Sequence, residues 1–258
     1  MKLAKTLTTG VAFLALAGAA AAQEYYVGGS LGLNNQSDSD NSGVTGAFTT
    51  GNLGDGSTLD VAAGTDYGWT TEFDSGAAFG LEFGARYANG LRAAVEFAYT
   101  GADVDTHKDV TLGGGSIDGL DAASIAGATD PIGATVAQVV SVGRGDITNT
   151  AFFVNGYYDF NRESSFQPYV GVGLGFSDVS VNYQPSGIEV IDGSETKFAY
   201  QGKLGVTWWL NPSVEVFGEY AYRATEDIEL NNELFPGTLD IENQSNSFSI
   251  GARYRFGG

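Results

Sequence analysis

Residues 245–256 read SNSFSIGARYRF. Phe248, Ile250, Ala252, Tyr254 and Phe256 stand at one parity, and Ser247, Ser249, Gly251, Arg253 and Arg255 at the other. A period of two marks a strand whose side chains alternate between two faces. A soluble sheet would place its apolar face on a core and its polar face in water. Here the alternation recurs through most of the chain, and the polar face keeps carrying charges of both signs. That combination predicts an outer-membrane β-barrel, with hydrocarbon outside and a polar lumen inside.

Working back along the chain, eight segments fit the dyad. Val27, Leu31 and Leu33 face out in the first; Phe79, Leu81 and Phe83 in the second; Leu91, Val95, Phe97 and Tyr99 in the third. Asn89-Gly90 between the second and third is a hairpin turn signal. The fourth sets Phe152, Val154 and Tyr158 against Asn155 and Asp159, and the fifth sets Val170, Val172, Leu174 and Phe176 against alternate glycines. In the fifth the phase then slips, because Val179, Val181 and Tyr183 take the opposite parity. Such a slip implies a bulge, or a strand emerging beyond the membrane. Leu204 and Trp208 face out in the sixth, and Val214, Val216, Tyr220 and Tyr222 in the seventh; residues 245–256 form the eighth. Connections after the second, fourth and sixth strands are short. Those at about 34–74, 101–149, 184–196 and 224–246 are longer, as expected for periplasmic turns and extracellular loops. The fold class expected is all-β, an eight-stranded antiparallel up-and-down transmembrane barrel.

The N-terminus is a processing segment. Lys2 and Lys5 precede a short apolar run, and Ala20-Ala21-Ala22 supplies small residues for cleavage near Gln23. The organisation expected is a signal peptide over 1–22 and one barrel domain over 23–258. The apolar run is shorter than the roughly 20 residues a membrane-spanning helix needs. A mean hydropathy of −0.06 does not count against a barrel, whose strands turn only every second residue to lipid. The sequence carries 12 basic and 31 acidic residues. That acidity argues against nucleic acid as a partner. Zero cysteines exclude disulfides and thiolate metal sites.

Several stretches resemble a known family. GAAFGLEFGARYANGLRAAVEF (76–97), NGYYDF (155–160), PYVGVGLG (168–175), AYQGKLG (199–205), EYAYR (219–223) and GARYRF (251–256) are similar to the strands of OmpA-like, porin-family eight-stranded outer-membrane proteins. The resemblance spans all eight strands and fails in the long loops. It implies an integral outer-membrane protein, often a surface antigen, with structural, adhesive or weakly pore-forming roles. It also implies contact with outer-membrane lipid and lipopolysaccharide, delivery by the barrel-insertion machinery, and Phe256 as the assembly signal. Members usually end on that aromatic residue, whereas Gly257-Gly258 follow it here.

By register the lumen receives Arg86, Arg92, Lys203, Arg223, Arg253 and Arg255, facing Glu82, Glu96, Asp159, Glu215 and Glu219. Eight strands leave an interior that side chains can largely fill. The favoured reading is therefore a packed ion-pair core, with Arg253→Ala or Glu96→Ala more damaging than any loop change; the alternative is a small diffusion channel. A monomer is expected, since a closed barrel leaves no sheet edge to pair.

The loops concentrate acid, from Asp38, Asp40, Asp55, Asp60 and Asp66 to Asp103, Asp105, Asp109, Asp118, Asp121, Asp130 and Asp146. Divalent cations are a candidate partner there. Asp38-Ser-Asp40-Asn-Ser42-Gly43 begins like an EF-hand loop, yet Thr49 stands where a bidentate Glu is needed. The segment from Gly113 to Asp118 approaches a calcium-binding nonapeptide but occurs once. No dedicated metal site or cofactor is expected. A lipid-A-modifying or proteolytic barrel enzyme would need a general base, and His107 with Asp105 is the one candidate. A lone histidine in an Asp-rich loop reads as solvated, and no catalytic residue is assigned. Gly- and Asp-rich loops without aromatic clusters predict mobile segments rather than a preformed pocket.

Overall fold

The computed structural model describes residues 24–256. The expected signal segment over 1–22, its expected cleavage site and Gly257-Gly258 lie outside the described residues. In chain order the strands are β1 (Glu24–Gln36), β2 (Ser39–Thr45), β3 (Phe48–Thr49), β4 (Asp60–Val61), β5 (Asp66–Phe73), β6 (Gly76–Arg86), β7 (Leu91–Leu112), β8 (Gly115–Ser116), β9 (Gly145–Asp159), β10 (Phe166–Tyr183), β11 (Ile191–Asn211), β12 (Val214–Thr225), β13 (Ile228–Asn231), β14 (Gly237–Ile241) and β15 (Gln244–Phe256). β1, β6, β7, β9, β10, β11, β12 and β15 close into an antiparallel ring. The ring needs no crossover, because each strand pairs with its neighbours in sequence among these eight and β15 returns to β1.

The connections below the ring are tight for chemical reasons. Gly90 takes a positive φ of 89° after Asn89, whose Oδ1 accepts from Leu91 N. Asn211 Oδ1 accepts from Ser213 N and Val214 N across the Pro212 turn.

Outward side chains form an apolar belt that a water-soluble protein would not display. Val172 is 71% exposed and Ile250 76%, with Leu31, Leu33, Leu174, Leu204 and Phe248 similarly bare. On β10 the belt runs from Phe166 to Phe176. Ten steps of about 3.3 Å on a strand tilted by about 40° climb about 25 Å, the height of an outer-membrane barrel's hydrocarbon band.

Above the belt the polarity of the wall inverts. On β10 the outward residues become Asp178, Ser180 and Asn182, while inward Val179, Val181 and Tyr183 are wholly buried. β10 pairs with β9 and β11 without a break through this region. The apparent phase slip is therefore not a bulge. The strand has left the membrane, so water takes the outer face and a hydrophobic core forms inside.

The expected mobile loops are corrected by the same feature. Strands β2, β5, β13 and β14 continue β1, β6, β12 and β15 upward across two-residue breaks, in the order β13-β14-β2-β5-β7. This upper storey encloses Tyr67, Val104, Ile147, Val179, Ile191, Ile228, Leu239 and Ile241. It is less evenly closed than the ring below: β13 packs beside β11 without a ladder, and the β7–β9 pairing stops at Asp103 and Asp146. Residues 48–65 and 113–142 roof it, the latter with short helices at Ala123–Ala126 and Val136–Val140. The EF-hand-like stretch is likewise not a loop, since most of it lies in β2, where Asp40 and Asn41 point to opposite faces.

Candidate functional site

The alternation that turns Leu, Val and Phe outward delivers the charged side chains to one enclosed space. Lys203 Nζ lies 2.8 Å from Glu96 Oε1 and 2.9 Å from Glu219 Oε1, and Arg223 Nη2 reaches Glu96 Oε1 at 3.3 Å. Asn155 Nδ2 and Gln201 Nε2 donate to Glu96 Oε2 at 2.6 and 2.8 Å. Nearer the periplasmic end, Arg253 pairs with Glu82 and, at 3.2 Å, with Glu215. Arg86 binds the same Glu215 at 3.2 Å and faces Asp159 at 3.4 Å. Arg92 stands 3.6 Å from Glu82 and 3.3 Å from Asp159.

Tyrosines join the two groups. Tyr169 donates to Glu219 at 2.8 Å and accepts from Arg253 Nη2 at 3.4 Å, while Tyr157 donates to Glu82 at 3.3 Å. Guanidinium planes also lie over rings, Arg92 at 4.1 Å from Tyr157 and Arg253 at 3.7 Å from Phe217. Five cations and five anions thus share the space, and their formal charges cancel. Arg255 stands apart from them. It pairs with Glu24 and the Pro212 carbonyl and lies 3.5 Å over Trp209, at the periplasmic rim. Its strand phase is inward, but its position at the end of β15 carries it past the network. Phe256 is outward, among Tyr25, Phe83 and Tyr254.

The neutral members were missed as site residues although their inward parity was legible. The signal for them is a cross-strand pairing of large on small. Tyr26 lies opposite Gly84, Tyr157 opposite Gly171, Tyr169 opposite Gly205 and Phe217 opposite Gly251. In each pair a Cβ on the glycine would strike the facing ring at 2.2–2.4 Å. Glycine is therefore the space into which each ring folds flat. Gly205→Val is expected to displace Tyr169 from both Glu219 and Arg253, and to leave more of the chain unfolded on unboiled gels than Gly218→Val, where nothing lies within 4 Å of the added carbon.

Above the charges the lumen is layered. Ala98, Ala151, Phe153 and Ala199 make a small apolar disc. Over it, Gln36, Asn149 and Asn243 are linked by amide hydrogen bonds of 2.9 and 2.6 Å. Only above these does the apolar head begin. Voids at the level of the charges and of the disc measure about 10 and 20 Å³, room for a water molecule at most.

His107 belongs to the head, and its expected solvated state is corrected. It is 3% exposed, and its Nδ1 lies 2.8 Å from Thr71 Oγ1, with Asp105 turned outward to solvent. Desolvation lowers its pKa to about 4. The native ring stays neutral between that value and about 6.5, where an unfolded histidine binds a proton. The stability this neutral ring supports is therefore complete above about pH 6.5 and is lost as the pH falls toward 4. An NMR titration of the His107 ring should show a midpoint near 4; one near 6.5 would mean that the head does not enclose it.

A closed ring with an apolar belt, a polar filled lumen, short turns at one end and an extended head at the other defines an outer-membrane β-barrel protein. The solved outer membrane protein OprG of Pseudomonas aeruginosa has a similar fold, with a TM-score of 0.53 at 16% identity over 92% of this chain and 97% of that one. A family model described as surface antigen matches residues 35–246, and the chain belongs to that family. Major surface antigen 4 of Anaplasma marginale is 26% identical over 214 residues, 77% of this chain and 70% of the relative. Outer membrane protein PagN of Salmonella typhimurium is 26% identical over 124 residues, 44% of this chain. The match covers about half of PagN, 52% of its length.

Proposed function

We propose that this protein is a non-enzymatic outer-membrane scaffold that displays a folded head at the cell surface, in an envelope-structural, antigenic or adhesive role, with a lumen that is plugged rather than conducting. The observation that carries the second half is the filling of the ring by mutually paired side chains. A conducting pore needs a continuous aqueous path. Here Glu82, Arg92, Arg253 and the Tyr26, Tyr157 and Tyr169 rings pack against one another inside the ring, and the voids beside the charges and the disc hold one water or none. The family and the relative named as a surface antigen support the first half.

The lower ring has no free edge, which supports a monomer held by lipid. Phe256, outward at the end of β15, is the position we assign to the assembly signal. Divalent cations remain a proposed partner of the acidic surface, with calcium calorimetry as the check.

Planar-bilayer recordings on the refolded chain test the plug. The expected trace shows no steady current steps, only brief and small openings. Large, steady, ion-selective currents would replace the plug with a diffusion channel.

A further inference from the structure

One sizeable cavity lies outside the lumen. It lies in the head and has a volume of about 630 Å³, within the range of small-molecule sites. Its wall is built from segments far apart in sequence, including Phe48, Trp69, His107, Ile125, Val139 and Leu234. It holds no lysine or arginine, and Asp60 is its one acidic residue.

Four polar atoms of residues on this apolar wall are buried without a hydrogen-bond partner: His107 Nε2, Ser124 Oγ, Tyr183 Oη and Asn232 Nδ2. The histidine's tautomer follows from its neighbours. Thr71 Oγ1 accepts from Asn41 Nδ2 at 2.9 Å and from Trp69 Nε1 at 3.2 Å, which occupies both lone pairs of the hydroxyl. Its proton is then free to go to His107 Nδ1. The neutral ring carries its own proton on Nε2, and Thr71 is not part of the cavity wall while His107 is. A buried N–H donor without an acceptor is uncommon and calls for an explanation.

We infer that the head cavity is a binding site for a small, uncharged apolar molecule carrying a carbonyl acceptor, an ester or a ketone, which takes the hydrogen bond from His107 Nε2. A neutral ligand fits because the wall offers an anion no counter-charge and Asp60 would repel one. A cation is disfavoured because Asp60 is exposed and already accepts from Thr49 Oγ1 at 2.7 Å. A purely apolar ligand would leave the His107 donor unmet.

Trp69 in the wall provides the readout, since bromine quenches tryptophan on contact. The chain has three tryptophans, so a W208F/W209F variant refolded in detergent keeps Trp69 alone. The probes are ethyl 6-bromohexanoate, a 1-bromoalkane of equal length, and a phospholipid brominated in one acyl chain. The ester is expected to quench Trp69 saturably, about 5- to 10-fold more tightly than the alkane, the usual worth of one hydrogen bond. His107→Leu should remove that preference, and Val139→Phe should weaken both by filling the space. If the double variant does not refold, the same comparison in the wild-type chain reads the His107-dependent part of the quenching. Non-saturating quenching equal for ester and alkane would overturn the site. Equal saturable binding would overturn the acceptor, and quenching by the phospholipid alone would overturn a free small ligand.

Discussion

Glu96→Ala is expected to lower the unfolding free energy of the barrel by about 3–5 kcal/mol, the range for breaking a buried ion pair by removing one partner. Glu96 takes hydrogen bonds from Lys203, Arg223, Asn155 and Gln201, and all of these lie inside the ring. Its removal leaves four cation-facing anions against five cations, with Lys203 and Arg223 sharing what Glu219 can offer. Water has no room to replace the carboxylate in a void of about 10 Å³. Urea unfolding of the vesicle-embedded chain, followed by tryptophan emission, reads the change. Lys108→Ala sets the scale for the head surface. Lys108 pairs with Glu72 where both are substantially exposed, and pairs of that kind contribute about 0–1 kcal/mol.

The double variant Glu96→Leu with Lys203→Met separates charge balance from packing. It restores equal numbers of anions and cations, so its cost should fall well below the sum of the two single changes. Strict additivity would show that these residues act independently and that the cancellation of charge in the lumen has no energetic meaning.

The lower storey was legible because one rule governs it. Where lipid lies outside, parity alone sorts Val172 from Gly173 and Arg253 from Tyr254, and the acids and bases of the lumen fall out together. Arg255 shows the limit of that rule: parity gives a direction, and height along the strand decides which partners are met. The head was not legible for a different reason. Its core follows the opposite polarity rule, so Val179, Val181 and Tyr183 looked like an error of phase in β10. β2, β13 and β14 are short, β2 carries Asp, Asn and Gly and β14 Asp and Gly, residues depleted from strands, and the three are held by the ladder β13-β14-β2-β5. The aromatic cluster that Gly- and Asp-rich loops seemed to lack is assembled across the whole chain. Phe48 stacks on Phe235 at 4.9 Å, and His107 meets Tyr183 edge-on at 5.0 Å. No local pattern announces contacts between residues so far apart.

The change of polarity rule along β10 makes the second large effect. Val172→Arg is expected to cost about 2–4 kcal/mol, the range for a cation facing lipid near the midplane of a barrel. Val172 sits near the middle of the stretch from Phe166 to Phe176 and is among the most exposed large hydrophobic residues described. On a soluble surface such a substitution would fall within about 0.5 kcal/mol of zero. Ser180→Arg, outward on the same strand but beyond the belt, should behave in that second way. Val181→Arg, one residue further and wholly buried, should be damaging again because its charge enters an apolar core with no partner. Tolerance for charge thus changes parity between Phe176 and Val179, and the three variants measured in one vesicle system locate the change. Equal and small costs at Val172 and Ser180 would mean that water, not hydrocarbon, surrounds the belt, and the barrel would have to be read as a soluble one.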